Sequence, residues 1–141
     1  MTRDEFFTKL NTSRQIYMFN ERVKKAWETI LPQDGIKAFF QSKHEMVKEN
    51  GTYIEEYYVL TNDHLLIIFI NVNQLISKSY LFKPYYIEKN FRFINDFGYE
   101  AQIDEIKVYM EKDDTSPIII PKVDEKRYDY RQYLDFIGNL N

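Results

Sequence analysis

YYVLTNDHLLIIFINV, running from Tyr57 to Val72, is the stretch on which the fold turns. It reads as two strands joined at Asn62-Asp63, residue types that tolerate positive φ and suit a two-residue hairpin turn. The second half has no polar face: Leu65, Leu66, Ile67, Ile68, Phe69, Ile70 and Val72 are apolar at odd and even positions alike. A half-solvated antiparallel strand alternates apolar and polar residues, so both sides of this one must be covered. A curved sheet covers one side, and helices supplied by residues 1–50 cover the other. Were those helices to miss it, the bare surface would call for a second copy of the chain, and a two-fold homodimer is the expected arrangement.

Upstream, the pattern is helical. Thr2-Arg3-Asp4-Glu5 fits a capping box ahead of Phe6, Phe7 and Leu10 and predicts a helix over 3–10. From Ser13, the apolar positions Ile16, Phe19, Val23, Ala26, Trp27 and Ile30 recur at threes and fours, with Pro32 and Gly35 marking the end. A third helix is expected from Ile36, Phe39, Phe40 and Val47, closing at Asn50-Gly51. Downstream, β-branched and aromatic residues broken by turn signals predict strands at 52–61, 64–73, 78–87, 90–95, 102–111 and 117–121. Pro84, Pro117 and Pro121 cannot donate ladder hydrogen bonds and place their segments at edges, ends or bulges. A closing helix over 125–140 sets Tyr130, Tyr133, Leu134 and Ile137 on one face, with Asp124 as its cap.

The 141 residues suit a single domain, a helical region over 1–50 packed on a sheet and helix over 52–140. With 44% hydrophobic and 29% charged residues the chain has too much apolar material for disorder and too many dispersed charges for a membrane span. The start, MTRDEFF, lacks the apolar region of a signal peptide, and cysteine is absent, which removes disulfides, thiolate nucleophiles and cysteine-ligated metals. A cytoplasmic location is the expectation, and the sequons Asn11-Thr12-Ser13 and Asn50-Gly51-Thr52 are discounted as chance matches. A net charge of −3 gives no long-range attraction to nucleic acid or anionic lipid, which points instead to a protein partner.

YVLTNDHLLIIF, YLFKPYYIEKNFRFIND, FGYEAQIDEIKVYM and YRQYLDFI together resemble the bacterial pleckstrin-homology-like (PH-like) domains: a first hairpin, a strand-bend-strand segment, a later strand pair and the final helix. The resemblance spans about residues 52–140. It implies an α+β fold in which a curved antiparallel sheet or partial barrel is plugged by the C-terminal helix, with the leading helices packed outside Leu65–Val72. Three departures stand out: the region before residue 51 is extra, the second strand is unusually apolar, and six strands are counted where the family has seven. Domains of this kind commonly dock proteins, peptides or lipid headgroups. The first hairpin loop here, Asn62-Asp63-His64, carries no Lys or Arg, which disfavours a phosphoinositide or membrane ligand.

Few residues suggest chemistry. His44-Glu45-Met46-Val47-Lys48 starts like the zinc-protease helix motif, but Lys48 stands where the second histidine is required, so a metal site fails on ligand count. Asp63-His64 could be an acid–base pair, yet neighbours in a tight turn are expected to point apart. Glu55-Glu56 and Asp104-Glu105 fall on opposite strand faces and read as solvated or hydrogen-bonded charges. The four glycines never form a phosphate-cradling loop, and no cofactor is called for.

The segment from Lys83 to Phe93 interleaves cations with aromatics, a combination that can stack single-stranded nucleic acid. The acidic total and Glu88 argue against that, and the same residues suit a protein-recognition face made by Lys83, Tyr85, Tyr86, Lys89, Phe91 and Arg92. Twelve Tyr and eleven Phe exceed what this core readily hides, so Tyr57, Tyr85, Tyr86, Tyr128 and Tyr130 are expected at the surface. The leading expectation is a non-enzymatic binding module for a protein partner. The alternative is a small acidic inhibitor, an immunity or anti-defence protein of bacterial or phage origin. An enzyme would reveal itself as a deep pocket holding His44 or His64 beside a carboxylate.

Overall fold

The computed structural model describes residues 1–12, 21–47, 52–93 and 101–141. Two helices come first, α1 (Arg3–Thr12) and α2 (Glu21–Ile30). The backbone N–H of Glu5 donates to the Thr2 hydroxyl at 3.1 Å, so the threonine caps α1. Of the second predicted helix, positions 13–20 lie outside the described residues; α2 is its remainder. A four-stranded meander follows: β1 (Ile36–Val47), β2 (Thr52–Thr61), β3 (His64–Asn71) and β4 (Leu75–Leu81), in that spatial order. A second antiparallel sheet holds β5 (Tyr86–Phe93), β6 (Ala101–Tyr109) and β7 (Ile118–Ile120), and α3 (Tyr130–Gly138) closes the chain. The fold is α+β with two sheets, and the described residues form no closed barrel.

β1 corrects the third predicted helix. Its pairing with β2 slips between Ile36 and Ala38, a bulge that inserts one extra residue. Ile36 and Phe39 therefore share one side of the sheet while Ala38 and Phe40 share the other. A three-residue spacing on one face mimics a helix, and apolar residues on both faces complete the resemblance. The described residues thus hold seven strands rather than six. Residues 82–85 interrupt what was expected as one strand over 78–87: Pro84 lacks an N–H, and β5 starts at Tyr86. Position 94 and beyond of the expected strand 90–95 lie outside the described residues.

The first sheet is sandwiched. On one side, Phe6, Phe7, Leu10 and Trp27 of the two leading helices join Leu31, Phe39, Tyr57, Val59, Leu66, Ile68 and Ile70 in one core. Phe6 sits with its ring centroid 5.1 Å from Trp27 and 4.7 Å from Phe39, while Trp27 meets Tyr57 edge-on at 5.4 Å. On the other side, Phe40, Tyr58, Leu60 and Leu65 pack with Ile106 and Val108 of β6 and with Tyr133, Phe136 and Ile137 of α3. Each such fully buried side chain contributes about 1.5–3 kcal/mol of transfer free energy. β3 is covered by the first core over even-numbered Leu66, Ile68 and Ile70, whereas on its other face only Leu65 is fully buried in the second core, Ile67 and Phe69 are half-buried, and Val72 beyond the strand is exposed.

The closing helix is shorter than 125–140 and starts later. Asp124 accepts the N–H of Lys126 rather than capping α3, and Asp129, the residue before the helix, is held by the Arg127 guanidinium. Phe136 takes the buried position, and Leu134, expected on the packed face, is exposed. The helical layer is tied to the sheet through the turn before β1. Ile36 N–H donates to Met1 O at 3.1 Å and Arg3 N–H to Gln33 O at 2.9 Å. In the same turn Gly35 adopts φ +85°, and its carbonyl accepts the N–H of Asn62 from the β2–β3 turn.

Candidate functional site

Phe82 N–H donates to Asp63 O at 2.8 Å, Pro84 breaks the ladder, and Tyr85 N–H donates to Tyr109 O at 2.8 Å, which delivers β5 to the edge of the second sheet. Along this edge large aromatics stay in solvent: Tyr85 is 58% exposed, Tyr86 46%, Phe91 52% and Phe93 77%. Tyr86 lies flat on Tyr109 at 4.2 Å and meets Tyr85 edge-on at 6.0 Å, so the three tyrosines form a continuous aromatic group. Glu88 accepts the Tyr109 hydroxyl at 3.3 Å and the Asn90 amide at 3.4 Å, which places Tyr86, Glu88 and Asn90 on one face.

The expected recognition residues do not all meet. Lys89 lies on the opposite face by strand alternation, and its amine donates to Ile137 O at 3.2 Å and Asn141 Oδ1 at 3.0 Å at the C-terminal end of α3, where a cation is favoured. Phe91 follows Lys89 in that alternation, whereas Arg92 follows Tyr86. Arg92 pairs with Asp104 at 3.0 Å, a carboxylate shared with Lys122 at 3.3 Å. Lys83 is exposed. The face is therefore aromatic more than basic, because two of its three cations already have acceptors. Among the tyrosines expected outside, Tyr85, Tyr86 and Tyr128 are exposed, Tyr130 is half-buried, and Tyr57 is a correction: it is 1% exposed, sealed by Trp27 and the helical layer.

Tyr57 belongs to a buried polar cluster that pattern reading missed. Its hydroxyl donates to Glu55 Oε2 at 2.7 Å and accepts from Gln41 Nε2 at 3.1 Å. Glu55 is 1% exposed, so of the two expected states it takes the hydrogen-bonded one and not the solvated one, and its other oxygen makes no hydrogen bond. His44, paired with Glu55 across β1 and β2, brings Nε2 to 3.8 Å of that oxygen. Burial pushes the Glu55 carboxyl up to about 7 against the lowering effect of the Tyr57 hydroxyl. The signal available in sequence was position: Glu55, Tyr57 and Val59 alternate onto one face of a strand whose other face, Tyr58 and Leu60, is apolar too. Glu56 goes the opposite way, to the Ser42 hydroxyl at 2.7 Å.

A second correction concerns Asp63-His64. The two side chains do meet, with His64 Nδ1 2.8 Å from Asp63 Oδ1, and the hydrogen bond holds the Asp63 carboxyl below its usual range. They line an open cleft of about 340 Å³ with Leu31, Pro32, Thr61 and Ser79. The Thr61 hydroxyl nevertheless bonds to Asp63 and to the His64 carbonyl, and among the described residues no hydroxyl is bonded to the ring. Nor does any group of three or more His, Asp or Glu able to hold a metal occur among the described residues. Among the described residues no helix is long and apolar enough to cross a membrane. No family model, curated protein or solved structure matches this chain.

Proposed function

We propose that this chain is a non-enzymatic, cytoplasmic docking domain of PH-like fold that recognises a protein partner through the aromatic edge of β5. The observation that carries the reading is the ring content of β5, Tyr86 on one face next to Tyr85 and Phe91 and Phe93 on the other, four large rings left in solvent on a strand that among the described residues is paired on one side only. Monomeric surfaces rarely leave rings clustered this way without use, and Tyr and Phe supply large contact area at low entropic cost. Antiparallel strands followed by one packed helix support the PH-like reading. The acidic Asn62-Asp63 turn favours protein over phosphoinositide, and the acidic net charge favours protein over nucleic acid.

The test is capture on the immobilised chain from its native host, identification of the bound protein, and titration of that protein against variants. Tyr86→Ala and Phe93→Ala should each weaken binding about tenfold or more, the scale of an interface hot spot, while Leu134→Ala on the exposed side of α3 should not. Equal affinity of wild type, Tyr86→Ala and Phe93→Ala would remove β5 as the docking face.

A further inference from the structure

β4 is the outer strand of the first sheet, bonded to β3 from His64↔Leu81 to Ile70↔Leu75 and to nothing described on its other side. Ile76, Ser77, Lys78 and Ser79 are all exposed, and so is Leu81. A seven-residue edge with apolar side chains and no proline is a template for another strand. Its sequence says which one. LISKSYL, Leu75 to Leu81, reads nearly the same in both directions about Lys78.

We infer that β4 pairs antiparallel with β4 of a second copy about a two-fold axis at Lys78, joining the two first sheets into one eight-stranded sheet. In this register Leu75 faces Leu81 of the partner copy, Ile76 faces Tyr80 and Ser77 faces Ser79, each pair occurring twice, as an isologous interface requires. Ile76, Lys78 and Tyr80 share one face, and Leu75, Ser77, Ser79 and Leu81 share the other. The rows continue inward, because Tyr80 already lies opposite Leu65, Ile76 opposite Phe69, and Leu75 opposite Ile70. Moving the axis to Ser77 or Ser79 sets Lys78 against Ile76 or Tyr80 and breaks the apolar pairing, so the register centred on Lys78 is the self-complementary one. Its cost is two like charges face to face, which makes the association strengthen with added salt. This surface is separate from β5, and either proposal can fail alone.

Sedimentation of the full chain over a wide concentration range measures the association, with circular dichroism confirming that each variant is folded. Wild type should show a monomer–dimer equilibrium tightened by salt. Ile76→Lys should weaken it by about tenfold or more, since it removes two apolar pairs and adds two charges. Lys78→Ser should tighten it by up to about fivefold. The chain has no cysteine, so single cysteines report the register directly. Under mild oxidation Lys78→Cys should form a disulfide-linked dimer faster than Ser77→Cys or Ser79→Cys. A chain that stays monomeric throughout, an Ile76→Lys variant that associates like wild type, or crosslinking no faster at 78 than at its neighbours would each overturn the inference.

Discussion

β3 and β4 are consecutive strands of one sheet, hydrogen-bonded residue for residue, and they sit in opposite surroundings. β3 has the helical layer over Leu66, Ile68 and Ile70 and the second core over Leu65. In β4, Ile76 to Ser79 and Leu81 are exposed, Leu75 packs at the rim of the first core, α2 approaches the strand, and among the described residues no strand lies beyond it. Pairing therefore does not decide burial here; the layers above and below the sheet do. Composition follows the surroundings: β3 is apolar from Leu65 to Ile70, while β4 puts Ser77, Lys78 and Ser79 at its centre, residues that tolerate water and discourage indiscriminate edge pairing. The aromatic edge of β5 repeats the β4 situation in the second sheet, so the surfaces proposed for recognition lie where layers are missing.

Breaking the covered strand should produce the largest effect. Ile68→Ala opens a cavity under Trp27 and Tyr57 and is expected to cost about 2–5 kcal/mol in denaturant unfolding. A change under about 1 kcal/mol would mean that the helical layer does not seal this side.

The same covered face holds one group that opposes its own burial. Glu55 lies opposite Ile70 at the end of β3, with its carboxyl raised from 4.5 to about 7. Because the folded value is the higher, stability is full below pH 4.5, falls as the unfolded chain ionises, and levels off above pH 7. The loss amounts to about 3 kcal/mol, 2.5 pKa units at 1.36 kcal/mol each. Glu55→Gln keeps an acceptor for Tyr57 and should flatten the profile between pH 4.5 and 7, read by urea unfolding at several pH values. A wild-type stability that rises over this window would contradict the assignment.

Gly35 tests how the layer is fastened. A methyl group there meets the Asn62 side chain at 2.6 Å and forces a left-handed backbone, so Gly35→Ala should destabilise by about 1–2 kcal/mol, with Asn62 free to swing away. At the bottom of the scale, Ile76→Ala on β4 should change monomer stability by less than about 0.5 kcal/mol, against the large loss at Ile68.

Much of this contrast was readable before any coordinates. An apolar run on both faces identified β3 as a sandwiched strand and located its covers. Helix α1 with its Thr2 cap and the Asn62-Asp63 turn were likewise legible, because each depends on local chemistry, whereas the strand expected over 78–87 is broken at 82–85. β1 was not, since a bulge at its start produced the three-residue spacing of a helix, and a bulge is set by pairing with β2 rather than by its own residues. Glu55 was expected either solvated or hydrogen-bonded, and its burial was hidden for a related reason: only the packing of Trp27 over Tyr57 shows that its face is shut. At β5, Tyr85 and Tyr86 are exposed as expected, while Phe93, the most exposed ring, was not singled out. The tie of Lys89 to the end of α3 was hidden, because it joins residues 48 positions apart.

Amide hydrogen exchange resolved by residue tests the central contrast most directly. The account predicts that the amides of Ile67 to Ile70 exchange only through global unfolding, while the amides of β4 that point away from β3 exchange orders of magnitude faster in dilute solution. Equal protection of the two strands in a monomer, or β3 opening as readily as β4, would contradict it.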